Sequence, residues 1–347
     1  MSLDVSGTSD SQPLPGVRDG VAEVRPEDLA DLSGFEISSA EAERVAAALG
    51  AARSPATRRA YASAWARFDR WVADRGGESL GVSPEVVAVY LVELADNGKS
   101  MSTVDRAASA IRAIHRDAGL EDPTRHPGVE RVRAGLRRSV GVAPRRQAHP
   151  LSTAEIRRIV GPIGDDVRGR RDRSIILLGY AGALRRSELA SLDVGDVEFR
   201  TGGVVLTIRS SKTDQERQGA VVGIARGAHP VTCPVTALRR WLDVIDGDLD
   251  LPLYRPVAWS ARRALPRGLD GRDVARILQN RAEDAGLGDL AISGHSLRAG
   301  HATEAAGRGV PADRLARTTR HSSIEALSRY VRPAEVLTDT TSRDLGL

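Results

Sequence analysis

From residue 54 to 140, apolar positions recur every three or four residues, the period that gathers side chains onto one face of an α-helix. Tyr61, Trp65, Phe68 and Val72 form the first such stripe. Ser54 followed by Pro55 marks its start, because a serine oxygen caps free N–H groups and proline suits the first helical turn. With Trp71, the stretch holds four of the twelve aromatic residues of the chain, which makes it a core anchor rather than a base-stacking platform. A second helix is predicted from Pro84 to Ala95 behind Ser83. A third is predicted from Ser102 to Asp117, with Val104, Ala108, Ile111 and Ile114 or His115 inward. A fourth is predicted over 128–139. The periodicity lapses across "SVGVAPRRQAHP", which reads as a linker.

A second patterned region opens at Leu151. Ser152 and Glu155 have the spacing of a capping box, and an apolar helix follows through "SIILLGYAGAL". In "VEFRTGGVVLTIRSSKTDQERQGAVVGI" the period changes to two, and two β-branched runs flank a polar stretch, predicting a hairpin or small antiparallel sheet. Helices are expected again at 233–245, 271–285, 297–308, 311–318 and 323–330. Residues 1–36 are rich in Gly, Ser, Pro and Asp with little periodicity, and a short helix is predicted over 38–51. The pattern gives four segments: an acidic, largely disordered tail (1–50), a helical domain (51–140), a linker (141–150) and a second domain with a C-terminal tail (151–347). The fold class expected is mainly α with a small antiparallel β-sheet in the second domain.

Composition narrows the function. Apolar residues make up 41% of the chain, enough for two cores. No run approaches the roughly 20 apolar residues of a membrane span. The acidic N-terminus lacks a secretory pattern, and the lone Cys233 excludes an internal disulfide and a cysteine metal cluster. A soluble cytoplasmic protein is expected. Net charge is only +4, but residues 1–50 hold three Arg against ten acids, so the remainder carries +11. "RVRAGLRRSVGVAPRR" holds six arginines and no acid. Such a body suits either a nucleic-acid partner or a solvated basic face. Only Lys99 and Lys212 among the 50 basic residues are lysines. A lysine gives up a proton near neutral pH when its pKa is lowered, and an arginine effectively does not. Lys99 lies in the loop-like "DNGKS"; Lys212 lies in the polar stretch between the two strand-like runs and is a candidate for acid–base chemistry.

The chemistry concentrates in three stretches. In "GHSLRAGHAT", His295 and Arg298 are three apart at a helix start, where unpaired N–H groups and the helix dipole favour an anion. In "ALRRSELASL", Arg185 precedes Glu188 by three, so a carboxylate can orient a guanidinium suited to bidentate phosphate binding. "RHSSIEALSRYVRP" adds His321 and Tyr330. Each pair alone also fits an ordinary surface contact.

In this order and spacing, with "SSKTDQ", the motifs resemble those of the tyrosine recombinases, or phage integrases, of the Cre-like site-specific kind. The likeness spans roughly 150 to the C-terminus and extends more loosely to 54–140. It implies a two-domain, C-shaped clamp on duplex DNA. It also implies a site in which Arg185, Lys212, His295, Arg298, His321 and Tyr330 surround one phosphate, with Glu188 in support. Tyr330 would attack phosphorus to give a 3′-phosphotyrosine. Arg185 and Arg298 would neutralise the non-bridging oxygens, both histidines would donate hydrogen bonds, and Lys212 would protonate the leaving 5′ oxygen. Neither metal nor ATP nor any cofactor is expected. The expected partner is a double-stranded target site, bound as a homotetramer on two sites by a protein that is monomeric or dimeric when free, without membrane attachment and associated with the nucleoid. Arg106, Arg112, Arg131, Arg137, Arg138, Arg145, Arg146 and Arg320 are candidate DNA contacts. Type IB topoisomerase-like relaxation and a catalytically silent DNA-binding regulator are the alternatives.

The chain departs from the family pattern in a few places. Arg320 stands where the family often has glycine, adding a phosphate contact or altering the turn. Ala299 and His301 read as packing changes. Arg186 raises a question of register that the "LRRSEL" frame resolves toward Arg185. Tyr254 is the rival nucleophile. The tail after Tyr330, with Val336, Leu337, Leu345 and Leu347, reads either as a segment that docks on a neighbouring protomer or as a frayed end.

Overall fold

The computed structural model describes residues 17–18, 21–22, 38–142, 147–209, 219–245, 247–258 and 263–320. Lys212, His321, Tyr330, Arg145, Arg146 and the C-terminal tail lie outside the described residues. The chain divides into two compact units, Met1–Arg145 and Arg146–Leu347. It is mostly helical, with one three-stranded antiparallel sheet in the second unit.

In the first unit, α1 spans Ser39–Ala51 and is followed by α2 (Pro55–Ala73), α3 (Pro84–Asp96), α4 (Met101–Asp117) and α5 (Pro127–Val140). The Ser54 oxygen accepts from Thr57 N and caps α2, with Pro55 at its first position. Helix α2 packs on α4 and α3 packs on α5. The aromatic stripe is their shared core: Trp65, Phe68 and Val72 are buried, and the Phe68 ring lies 5.5 Å from Trp65 and 5.0 Å from Tyr90. Val104, Ala108, Ile111, Ile114 and His115 all face inward from α4. Upstream of α1, β1 (Val17–Arg18) pairs with β2 (Val21–Ala22), a short ladder that the composition of this stretch does not predict.

The second unit is organised around α7 (Val167–Ala181). Ile175 and Leu178 enter one core with Val204, Leu206, Ile224 and Trp241, while Ile176 and Leu177 enter another with Ile159, Leu278 and Leu297. A helix buried on both sides needs apolar residues all round, which is why this stretch reads as a run rather than a stripe. Around α7 stand α6 (Thr153–Val160), α9 (Pro234–Leu242), α10 (Gly271–Asp284) and α11 (Ser296–Gly307), and α12 (Ala312–Thr319) packs on α11. The capping box of Ser152 and Glu155 is formed at the start of α6. The sheet has the order β3 (Val197–Arg200), β4 (Gly203–Ile208), β5 (Ala220–Ala225), one strand more than the two β-branched runs. Ile208 pairs with Ala220, so Lys212 belongs to the segment joining β4 to β5.

Two local features aim the site. Helix α7 stops at Ala181, three residues before the end of the apolar run, because Ala183 adopts a left-handed backbone (φ 46°). That conformation costs a non-glycine residue about 1–2 kcal/mol. Burial of Ala183 and Leu184 holds it, and the chain turns so that Arg185 begins the short α8 (Arg186–Ala190). The second feature is Gly300 on α11, where a Cβ would overlap the Leu151 carbonyl. The segment that enters the unit therefore lies directly on α11, fixed also by Leu151 N donating to Ser296 O and by Thr153 Oγ1 donating to Glu304.

Gly300→Ala is expected to destabilise the second unit by roughly 2–3 kcal/mol, the range of an overpacked core. Gly223→Ala, on β5 with open space around it, is expected to stay within about 0.5 kcal/mol. Chemical denaturation of both variants checks the contrast; equal stability of the two would remove the close approach from the account.

Candidate active site

Arg185 sits at the N-cap of α8 and Glu188 three residues on. The Glu188 carboxylate accepts from Arg185 N (2.8 Å, Oε2) and Arg185 Nη1 (2.6 Å, Oε1). It is 1% exposed, yet a second guanidinium reaches it: Arg320 Nη2 donates to Oε2 at 2.6 Å. Arg298, on the first turn of α11 and 2% exposed, donates from Nη1 to Ala183 O at 2.8 Å. Arg320 Nη2 shares that carbonyl at 3.3 Å, and Arg185 Nη2 donates to the Arg320 carbonyl at 3.3 Å. Three residues far apart in sequence are thus brought onto one turn. The described residues of this cluster are three guanidinium groups and one carboxylate.

That charge count determines the protonation of Glu188. Burial raises its carboxyl pKa, but the Arg320 charge and the hydrogen bonds from Arg185 outweigh burial and hold it below the usual glutamate range. With Glu188 ionised, the cluster gathers three guanidiniums around one largely buried turn. A phosphate oxyanion would complete it.

The other predicted site residues are distributed around this turn. His295 is exposed immediately before α11, and its N–H donates to Ser293 Oγ (3.2 Å). Arg186, the register rival, is exposed and its side chain lies over Gly294 and Gly271, where a Cβ at Gly294 would come within 2.6 Å of Arg186 Cδ. Ala299 is buried, and His301 Nδ1–H donates to Tyr180 O at 2.9 Å. Burial lowers the His301 pKa, with Arg298 and Arg320 adding to the effect, so its ring is a neutral packing group. Tyr254 is fully buried, its hydroxyl 2.8 Å from Ser174 Oγ and its ring stacked near Trp241, and burial drives its phenol pKa upward. A nucleophile needs access that this position denies. Tyr90 is also buried, and the Tyr180 hydroxyl contacts Thr153.

Among the arginines expected on DNA, Arg106, Arg131 and Arg138 are exposed. Arg137 is half-exposed and pairs, with Arg133, to Asp105. Arg112 is tied to Asp122 (3.0 Å) and Thr124 within its own unit, and the Arg320 guanidinium turns inward rather than toward solvent. The Ala183 carbonyl, an acceptor for two arginines, carried no sequence signal: a left-handed alanine looks like any other. Among the described residues, no group of three or more His, Cys, Asp or Glu is placed to hold a metal ion, and no helix is long and apolar enough to cross a membrane.

Since the folded Glu188 pKa is depressed, its ionic form contributes stability fully above the unfolded value of about 4.3 and loses that contribution as pH falls through the folded value. Glu188→Gln, which removes the carboxylate charge that pairs Arg185 and Arg320, is expected to cost roughly 3 kcal/mol at pH 7. The gap to the wild type should narrow below about pH 4. Urea denaturation of both proteins across this range checks it, and a pH-independent gap would contradict it.

The model of the Phage integrase family matches residues 150–336, and that of the phage integrase N-terminal SAM-like domain matches residues 48–121. An integrase/recombinase XerD homolog from Selenomonas ruminantium is 33% identical over 288 residues, which span 82% of this chain and 83% of that protein. Recombinase Cre of Escherichia phage P1 is 28% identical over 267 residues, 72% of this chain and 76% of that one. The structure of the XerH site-specific recombinase bound to palindromic difH substrate aligns with a TM-score of 0.57 at 14% identity, over 89% of this chain and 82% of that chain, a likeness of fold. With a family model over more than half its length and a relative one-third identical across most of both sequences, the chain belongs to the phage integrase family of tyrosine recombinases, enzymes of DNA strand exchange.

Proposed function

We propose that the turn joining Arg185, Glu188, Arg298 and Arg320 is the seat of the scissile phosphate in a site-specific DNA recombinase. The observation that carries this reading is the convergence on one turn of the Arg185, Arg298 and Arg320 guanidiniums, delivered there by three different elements beside the ionised Glu188. A phosphodiester resists nucleophiles because it is anionic. Arg185 and Arg298 bind its non-bridging oxygens and stabilise the charge that grows in the pentavalent transition state.

Tyr330 is the nucleophile. Of the five tyrosines, Tyr90 and Tyr254 are buried, Tyr61 is half-buried, and Tyr180 is hydrogen-bonded between helices. The Tyr330 oxygen forms a bond to phosphorus as the bond from phosphorus to the 5′ oxygen breaks. His295 takes the phenolic proton, Lys212 gives one to the 5′ oxygen, and His321 donates a hydrogen bond to the phosphate. The 3′-phosphotyrosine retains the bond energy, so a 5′ hydroxyl from the exchanging strand reverses the step without ATP. Residues 51–140 and 151–347 act as the two arms on the duplex, with 141–150 between them. Arg106, Arg131, Arg137 and Arg138 meet backbone phosphates. Four copies assemble on two sites, and the free protein is a monomer or dimer that associates with the nucleoid in the cytoplasm.

Lys212→Arg tests the chemistry. The change preserves charge, so DNA binding is expected to survive. A guanidinium yields its proton far less readily than an ammonium, and cleavage is expected to slow by roughly 10²- to 10⁴-fold. A 5′-bridging phosphorothiolate leaves without a proton and should recover most of the rate, while Arg185 and Arg298 variants stay slow on it. Near-wild-type cleavage of the ordinary substrate by Lys212→Arg would remove the general acid from Lys212.

A further inference from the structure

Arg320 occupies a backbone position that suits glycine. Its φ of 52° lies in the left-handed region, which a Cβ disfavours. The side chain is nevertheless long, charged and only 10% exposed. Both terminal nitrogens of its head group are engaged with the backbone and carboxylate around it. Nη2 donates to Glu188 Oε2 (2.6 Å) and Ala183 O (3.3 Å), and Nη1 donates to Thr318 O (3.0 Å) and Gly182 O (3.5 Å). Its own carbonyl accepts from Arg185 Nη2 (3.3 Å). Arg320 therefore touches the holding group of each phosphate-binding arginine: Glu188, which orients Arg185, and the Ala183 carbonyl, which orients Arg298.

We propose that Arg320 is a positioning residue for cleavage, a clasp that fixes Arg185 and Arg298 relative to one another before DNA arrives. The proposal rests on these two arginines binding the scissile phosphate. A planar fork suits the task because one group must reach a carboxylate and several carbonyls at once, which a lysine ammonium does not do with fixed geometry. Because Nη1 and Nη2 are both taken by these acceptors, Arg320 acts as a support for the phosphate ligands rather than as a ligand itself. Clasping of this kind accelerates a reaction by alignment, so its loss appears in the chemical step rather than in binding.

The test uses the full-length protein and a nicked half-site that traps the cleaved product. Arg320→Gly removes the side chain and relieves the backbone, so folding should be preserved. Half-site affinity should change by less than about threefold, and single-turnover cleavage should fall by roughly 10- to 100-fold. Two further readouts separate alignment from general weakening. A methylphosphonate at the scissile position carries no negative charge, so aligned guanidiniums matter less there, and the Arg320→Gly defect should shrink at least several-fold. The Arg320→Gly defect should also be smaller in an Arg185→Ala background than in the wild type, because the two groups act together. Wild-type cleavage by Arg320→Gly, an equal defect on both substrates, or an undiminished defect in the Arg185→Ala background would overturn the proposal. If the melting curve shows Arg320→Gly unfolded, Arg320→Lys carries the same comparison, with the same outcomes decisive. Arg185→Ala serves as the control for the underlying reading: wild-type cleavage by that variant would defeat the phosphate seat itself, whatever Arg320 does.

Discussion

The Glu188 carboxylate is the interaction on which the site depends. Guanidinium groups about 4 Å apart repel by roughly 4 kcal/mol at an effective dielectric of 20, so a cluster of three is not stable without an anion. Glu188 supplies that anion with bonds to two of the three and to the N-cap of α8.

The fold supplies the rigid frame. Helix α7 is locked between two cores, and its early stop at the left-handed Ala183 is what sends Arg185 into α8 and exposes the Ala183 carbonyl to Arg298 and Arg320. Helix α11 is pressed against the Leu151 backbone at Gly300, two residues from Arg298. The end of α12 closes the group through Arg320. Each cationic group is therefore delivered by a different element whose place is set by packing, which is how a site of like charges is kept at fixed spacing.

Local chemistry was legible in the sequence. The caps at Ser54 and Ser152, the inward face of α4 and the pairing of Arg185 with Glu188 follow from spacing within a turn, where side-chain geometry is nearly fixed. Non-local features were not. The left-handed Ala183 depends on burial of the residues beside it, and the third strand needs partners that a four-residue run does not announce. The direction taken by the arginines is likewise set by distant acids: Asp122 draws Arg112, Asp105 draws Arg137, and Glu188 draws Arg320 away from solvent. A count of basic residues overstates the surface available to a polyanion for this reason.

The central claim is that the phosphate seated on this turn is attacked by Tyr330. The most direct measurement is the site of covalent attachment. After reaction with a nicked target site, protease digestion and mass spectrometry of the DNA-linked peptide should place the phosphodiester on Tyr330 through a 3′ phosphate, with no adduct from Tyr330→Phe. Attachment at another residue, or a 5′ linkage, would contradict the account.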